Sequence, residues 1–355
     1  MVLAFGCGGI QQRQPPTTNI EFEPVVVRPP KPGQALEFYD AKEVFNRGRL
    51  ARSFEKFEDC IRFFGIVIRE FKSSKYAEPA LYNRGLCYES HGRPHDAAKD
   101  FESYSHATQD PEARLDGYFR LLHNLVEIEH NSKALMLTQR LLKLNLSKLD
   151  HAEVLAKQAH VLYRLGQRSQ TRSLLLKASR LARQGAKGLI NGNAVYAESE
   201  YLLGEVSLSD MVKVKLRLPL DTMKVQLSEK LGHFRKSQLH LLNAVKAQVK
   251  GYSSHAGERL GALYAGLYDD LISAEKPPTL TEQEVSVYYE ELIIRITPVL
   301  RNAISIYEKS LKLGRRLGEK TAWLDTVNQQ KERLENLLHD ITSKDKKEIS
   351  HEPEK

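Results

Sequence analysis

Four stretches of this chain repeat at one fixed interval of 37 residues, and a period of that length admits few folds. Gly48, Gly85, Leu122 and Ala159 are its successive members. Twelve residues after each stand Cys60, Ala97, Ala134 and Thr171, and four further on Phe64, Phe101, Thr138 and Leu175. Three beyond those come Val67, Tyr104, Leu141 and Ala178. Small residues at two positions and larger ones at helical spacing behind them predict a recurring pair of helices, A then B. The small residues let the two helices approach, and the larger ones fill the space between neighbouring pairs. Such units bury their apolar faces only by stacking. The expected fold is therefore all-α, a solenoid of antiparallel helix pairs with a concave binding surface. That architecture points to a scaffold rather than a catalyst.

The clearest unit reads Leu81-Tyr82-Asn83-Arg84-Gly85-Leu86-Cys87-Tyr88, followed by Gly92, Ala97, Phe101 and Pro111. This order resembles the tetratricopeptide repeat (TPR), whose usual period is 34 residues. A spacing of 37 implies about one extra helical turn or a longer link in each unit. The other three copies are more degenerate, with Leu122 and Ala159 standing where the glycine would be. Residues 35–188 are assigned to four such repeats.

Leu and Ala are abundant in the 355 residues, proline is concentrated at the N-terminal end, and no apolar run of 18 residues is present to span a membrane as a helix. The net charge is +8, and no acidic residue stands between Glu153 and Glu198. Arg172, Lys177, Arg180 and Arg183 fall in that interval, on the fourth B helix. They are expected to form a basic face suited to an acidic protein or anionic lipid. Nucleic acid is not expected as a partner, because the patch lacks interleaved stacking aromatics and any reading motif.

Residues 1–34 have a different character. Ala4-Phe5-Gly6-Cys7 resembles the end of a bacterial lipoprotein signal, which would make Cys7 the acylated residue and residues 8–34, with Pro15, Pro16, Pro24, Pro29, Pro30 and Pro32, a flexible tether. Residues 1–7 contain no Lys or Arg and are too short for an export signal, so the expectation is a start further upstream. Cys60 and Cys87 are expected to be buried structural thiols, a disulfide between them being the alternative in an oxidising compartment.

After Gly188 the strict period lapses while helix pairs continue over residues 189–341. Gly204 lies at the small position of an A helix from Tyr196 to Leu208, and Ser237, Leu241 and Ala244 occupy the matching places on its B partner. Two insertions, 209–232 and 272–297, interrupt the order. Within the first, Met211 to Pro219 alternates apolar and basic residues and is expected to lie extended, basic side outward. Thr281 and Glu284 have capping-box spacing at the head of a long helix with Pro298 inside it. A helix from Trp323 to Ile341 is expected to cap the array, leaving 342–355 a disordered tail. The run from Gly257 through Gly261, Tyr264 and Leu267-Tyr268-Asp269-Asp270-Leu271, then Pro277-Pro278, Pro298 and Tyr307, is similar to TPR lipoproteins of the proteobacterial, myxobacterial-type envelope group. One branch of that group is linked to gliding-motility machinery.

No catalytic constellation is found. His91 and His95 are separated by Gly92 and Pro94 and have no third metal ligand; His233 and His240 are expected to lack a carboxylate partner and to lie at the surface or an interface; no phosphate-cradling loop or nucleophile elbow is present. No cofactor, metal or small-molecule substrate is expected. The TPR resemblance instead implies a groove lined by A helices, to which Phe45, Arg49, Arg52, Tyr82, Glu89, Phe119, His123, His160 and Tyr163 correspond. Rings supply contact area to an extended peptide, and arginines supply forked donors. The expected function is a non-enzymatic scaffold on the periplasmic face of the outer membrane. The alternative is a cytosolic adaptor for an acidic protein partner.

Overall fold

In a computed structural model the described residues are 25–28, 37–276, 278 and 281–349. They form thirteen α-helices and one short antiparallel strand pair, β1 (Val25–Arg28) with β2 (Glu37–Asp40), in which Val25 lies opposite Asp40 and Arg28 opposite Glu37. The tether expected over 8–34 therefore contains a strand. The three consecutive valines Val25, Val26 and Val27 favour extended backbone.

The helices are α1 (Ala41–Ser53), α2 (Phe57–Glu70), α3 (Ala77–Ser90), α4 (Pro94–Ala107), α5 (Pro111–Glu127), α6 (Asn131–Leu141), α7 (Lys148–Arg164) and α8 (Arg168–Gly185). Then follow α9 (Ala194–Lys213), α10 (Leu220–Lys246), α11 (Tyr252–Ile272), α12 (Glu282–Leu317) and α13 (Thr321–Ile349). The chain divides into two compact units between Leu121 and Leu122, within α5.

The 37-residue period is written most plainly in the turns. Helices α1, α3, α5 and α7 end at Ser53, Ser90, Glu127 and Arg164, and their successors begin at Phe57, Pro94, Asn131 and Arg168, each series spaced by 37. The middle residue of every three-residue turn, Glu55, Gly92, Glu129 and Gly166, has φ between 57° and 75°. The following amide donates back to the A helix: Lys56 to Ala51, Arg93 to Tyr88, His130 to Leu125 and Gln167 to Leu162, at 2.8–2.9 Å. This is the six-to-one bond of a Schellman C-cap, which satisfies carbonyls the helix end would otherwise leave open. One backbone device repeated four times fixes how each B helix leaves its A helix.

Close packing then sets the depth of each pair. In the first unit a Cβ on Gly48 would stand 2.9 Å from the Phe64 ring, and one on Gly85 would stand 2.8 Å from the ring of Phe101. Both phenylalanines are fully buried, a contribution of about 1.5–3 kcal/mol each. Arg84 on α3 closes the same pair with two 2.7 Å hydrogen bonds to Asp100 on α4. In the second unit Gly204 meets Leu241 and Gly261 meets Tyr307, at 2.6 Å from a hypothetical Cβ in each case. Ala159 and Leu175 share one buried cluster with Leu202 and Leu203. Gly314 receives the Trp323 ring, so α13 covers the last apolar face of α12.

Cys60 on α2 and Cys87 on α3 are both fully buried and form a disulfide, their Cα atoms 6.3 Å apart. The expectation of two independent thiols is corrected. The α2–α3 contact brings the two small core positions to one level, within the span a disulfide requires.

Several boundaries differ from those expected. The extended piece shortens to Val214–Leu218, because Met211 belongs to α9 and residues 220–232 are helical in α10; Lys215 and Arg217 point outward, with Leu216 buried. Asp269 and Asp270 do not end their helix, which runs to Ile272 and directs Asp270 to the buried Lys230, 2.5 Å away. Thr281 and Glu284 form the capping box at α12. Past Ile341, where disorder was expected from 342, α13 continues to Ile349. That segment has no Gly or Pro, and extending a formed helix through Lys, Glu and Asp costs little. Residues 350–355 lie outside the described residues.

Gly85→Leu forces its side chain into the Phe101 ring and is expected to cost about 1–3 kcal/mol, read as a lower urea midpoint at an unchanged m-value. Gly232→Ala, helical and with nothing within 4 Å of an added Cβ, is expected to be neutral or to stabilise by up to about 1 kcal/mol. Equal losses at both glycines would refute the close-approach account.

Candidate partner-binding groove

The groove residues fall in two separate units. In the first, Arg49, Arg52 and Ser53 from the end of α1 and Asn83 from α3 line a surface cavity of about 380 Å³. The Schellman turn after Ser53 stops α1 with both arginines in its last turn or next to it, where the helix dipole favours cations. Arg52 Nη1 donates to Asn83 Oδ1 at 3.2 Å, and Asn83 Nδ2 donates to the Pro79 carbonyl at 2.8 Å, which fixes the amide. Arg49 is exposed and has no hydrogen bond or ion pair to another described residue. Leu50, 58% exposed, and Phe54, 67% exposed, stand on the adjoining face of the same helix end. The arrangement offers forked donors for a carboxylate beside an apolar shelf.

Farther along the same unit, Glu89 on α3 accepts from Arg120 Nη1 on α5 at 3.2 Å. Tyr82 is half-buried, its ring centroid 5.6 Å from that of Phe101 and 5.0 Å from that of Tyr104. Burial, and then a hydrogen bond with Asp116, raises the Tyr82 hydroxyl above its ordinary range, so it stays protonated. Phe119 is half-buried on α5. Phe45 is not a groove residue. Its ring is enclosed between Phe64, edge-on at 5.2 Å, and Tyr76 at 5.3 Å, where an aromatic face gains more from packing than from solvent.

In the second unit His123 is exposed on α5, while His160 and Tyr163 are half-buried on α7. His160 Nδ1 lies 3.5 Å from Glu198, which belongs to a buried ion pair: Lys157 Nζ reaches both Glu198 oxygens at 2.9 Å. Burial alone would push the Glu198 carboxyl up. Lys157 and the hydrogen bonds to it outweigh that and hold it at about 2. Burial likewise opposes the charge on Lys157, and Glu198 overrides it, so the ammonium is held well above its ordinary range. One helical turn and more along, Glu205 on α9 takes two 2.7 Å bonds from Arg259 on α11. Glu200 accepts from Ser179 and Asn243 and lies 2.8 Å from His240 Nδ1. His240, expected to lack a carboxylate partner, has one from a different helix, and His233, expected to lack one too, lies 3.8 Å from Glu229 one turn back on α10. The A helices α7, α9 and α11 are thus joined by satisfied ion pairs. His160 and Tyr163 border this network and offer a ligand fewer open groups than the α1 cavity does.

The basic face on α8 is smaller than expected. Arg172 turns inward to Asp210 at 2.8 Å, as Arg168 does at 3.0 Å, because the end of α9 presents that carboxylate to two turns of α8. Lys177, Arg180 and Arg183 remain exposed. Among the described residues no group of three His, Cys, Asp or Glu is placed to hold a metal, and no helix is long and apolar enough to cross a membrane. Cys7 lies outside the described residues.

The helix pairing is tetratricopeptide-like. Solved structures similar to this chain include BtubC (BKLC) from P. vanneervenii, 14% identical, covering 75% of this chain and 91% of that one with a TM-score of 0.41. A second is the C-terminal part of a TPR repeat-containing protein from Cytophaga hutchinsonii, 12% identical, with 84% and 98% covered and a TM-score of 0.42. A third is a tetratricopeptide repeat protein from Parabacteroides merdae, 11% identical, with 81% and 96% covered and a TM-score of 0.38. Overlaps of that size carry no argument about site or partner. No protein-family model and no curated protein matches the chain.

Glu198 contributes stability that is fully present above its ordinary value of 4.5 and is lost as the pH falls from there towards about 2. Urea midpoints are expected to drop through that window, and Glu198→Gln to show a shallower drop. Lys157→Met leaves the carboxylate buried alone, with an expected loss of about 3–5 kcal/mol. The double variant Lys157→Met/Glu198→Leu is expected to recover much of it, and no recovery would contradict a buried-pair account.

Proposed function

We propose that this chain is a non-enzymatic scaffold that captures an acidic, partly apolar extended segment of a partner protein at the first unit's groove. The observation that carries this reading is the α1 cavity: an open Arg49, an Arg52 held on Asn83, and Leu50 and Phe54 exposed beside them. Open guanidinium groups next to unburied aromatic and aliphatic surface match the enrichment of Arg and aromatics in protein contacts.

The scaffold is further proposed to work at the periplasmic face of the outer membrane, tethered through Cys7. Two features support this location: the lipoprotein-like order Ala4-Phe5-Gly6-Cys7, and a Cys60–Cys87 disulfide of the kind that persists in oxidising compartments. A place in gliding-motility machinery rests only on the order of residues from Gly257 to Tyr307. A second reading, a cytosolic adaptor for an acidic protein, is favoured by the exposed Lys177, Arg180 and Arg183.

Arg49→Glu/Arg52→Glu is expected to abolish capture of immobilised acidic-apolar peptides while leaving the thermal melt unchanged; undiminished capture by the folded double variant would rule the groove out. Intact mass and thiol trapping on protein from native membranes address the location. An acylated N-terminal cysteine with Cys60 and Cys87 oxidised is the expected result. An unmodified soluble chain with both thiols free would move the scaffold to the cytosol.

A further inference from the structure

The second unit contains a cavity that partner capture at α1 does not use. Helices α10 and α12 form its walls and α11 its floor, and its volume is about 500 Å³. Leu242 and Val245 from α10, Leu260 and Tyr264 from α11, and Ile306 and Leu313 from α12 make an apolar interior. The spacings follow from helix geometry: 242 and 245 are one turn apart, as are 260 and 264, and 306 and 313 are two. Tyr264 is half-buried, T-shaped to the Phe234 ring at 4.9 Å and held by Gln238, whose Nε2 donates to its hydroxyl at 2.5 Å, so the polar end of the ring is satisfied.

Three cations stand at the rim, Lys246 on one wall and Lys309 and Arg316 on the other, and no carboxylate lines the cavity. All three are exposed and none is hydrogen-bonded or ion-paired to another described residue. Elsewhere in this unit the cations at helix contacts are matched by acids: Lys157 by Glu198, Arg259 by Glu205, Lys230 by Asp270. Here charge is left unmatched next to apolar side chains that are only partly covered, Leu242 the most open of them and Leu260 the least. The volume lies in the range of small-molecule sites, which are mostly apolar with a few placed polar groups.

We propose that this cavity binds a single-chain anionic amphiphile, its acyl chain laid over Leu260 and Tyr264 between the two walls and its carboxylate or phosphate head held by Lys309, Arg316 and Lys246. The occupant follows from charge complementarity. An apolar chain fills the interior without asking for hydrogen bonds, and only an anionic head answers three unpaired cations. Arg316 provides a fork to two head-group oxygens, and the lysines provide point charges.

The test is equilibrium binding of dodecanoate, dodecyl phosphate and dodecanol to the full chain, each below its critical micelle concentration. Both anions are expected to bind at one site per chain, with dodecanol roughly tenfold weaker. The stronger of the two anions distinguishes a fatty-acid head from a phosphate head. Lys309→Glu/Arg316→Glu is expected to weaken the anions roughly tenfold and to leave dodecanol unchanged. Both positions are exposed, and an unchanged thermal melt confirms the variant's fold. Leu242→Asp is expected to weaken all three ligands. Equal affinity for dodecanol and dodecanoate, or no saturable binding of any of them, would overturn the proposal. So would tighter capture of an acidic amphipathic helical peptide, or a dimer in sedimentation that Leu242→Asp dissociates, because each assigns the cavity to a protein surface instead.

Discussion

The approach of each A helix to its B helix over a residue with little or no side chain is the constraint from which the rest of the structure follows. Gly48 under Phe64, Gly85 under Phe101, Gly204 under Leu241 and Gly261 under Tyr307 repeat one contact, and in each the larger residue occupies the space the glycine leaves. Dispersion and burial reward that contact only when the backbones are close. After α1, α3, α5 and α7 a short, stereotyped turn with its left-handed residue at 55, 92, 129 and 166 sets the exit direction, whereas α9–α10 and α11–α12 reach the same closeness across longer links. Within each unit, consecutive A helices then pack against one another, α1 on α3 and α7 on α9 on α11, and their remaining faces are what that unit can present to others.

Those faces are used in two ways. In the first unit Arg49 and Arg52 are left open to solvent at the end of α1. In the second, acids on α9 meet bases on α7, α8 and α11, and those particular charges are consumed within the fold. A buried ion pair does little for net stability compared with apolar packing, yet breaking one side of it is expensive. Its effect is to make one alignment of the A helices far better than its neighbours. The α7–α9–α11 contacts therefore read as the fixed part of the second unit, while the α1 end of the first is left receptive.

Much of this was legible in the residues. The period located the turns, the small positions located the helix contacts even where the spacing lapsed at Gly204 and Leu241, and Thr281 with Glu284 marked a helix start. Such features are local or recur at fixed intervals, so one sequence contains them whole. What stayed hidden needed partners distant in the chain. The basic interval after Glu153 looked like a free face because the acids that answer it, Glu198 and Asp210, come later on α9. His240 looked unpartnered for the same reason, with Glu200 lying 40 residues away. Counting around α1 gave the direction of Phe45 but not that Tyr76 would arrive to cover it. The strand at Val25 was masked by the prolines around it, which set the general character of the segment while leaving four residues between them free to pair.

The Cys60–Cys87 bridge joins a B helix of the first repeat to an A helix of the second. In a stack held by nearest-neighbour contacts the terminal repeat opens first, since it has a neighbour on one side only. A covalent link across the first interface limits that independence. When the packing between α2 and α3 loosens, the bridge keeps them within reach, so they re-close from a short distance rather than as free segments. The arginines of α1 sit on the repeat that is tethered in this way.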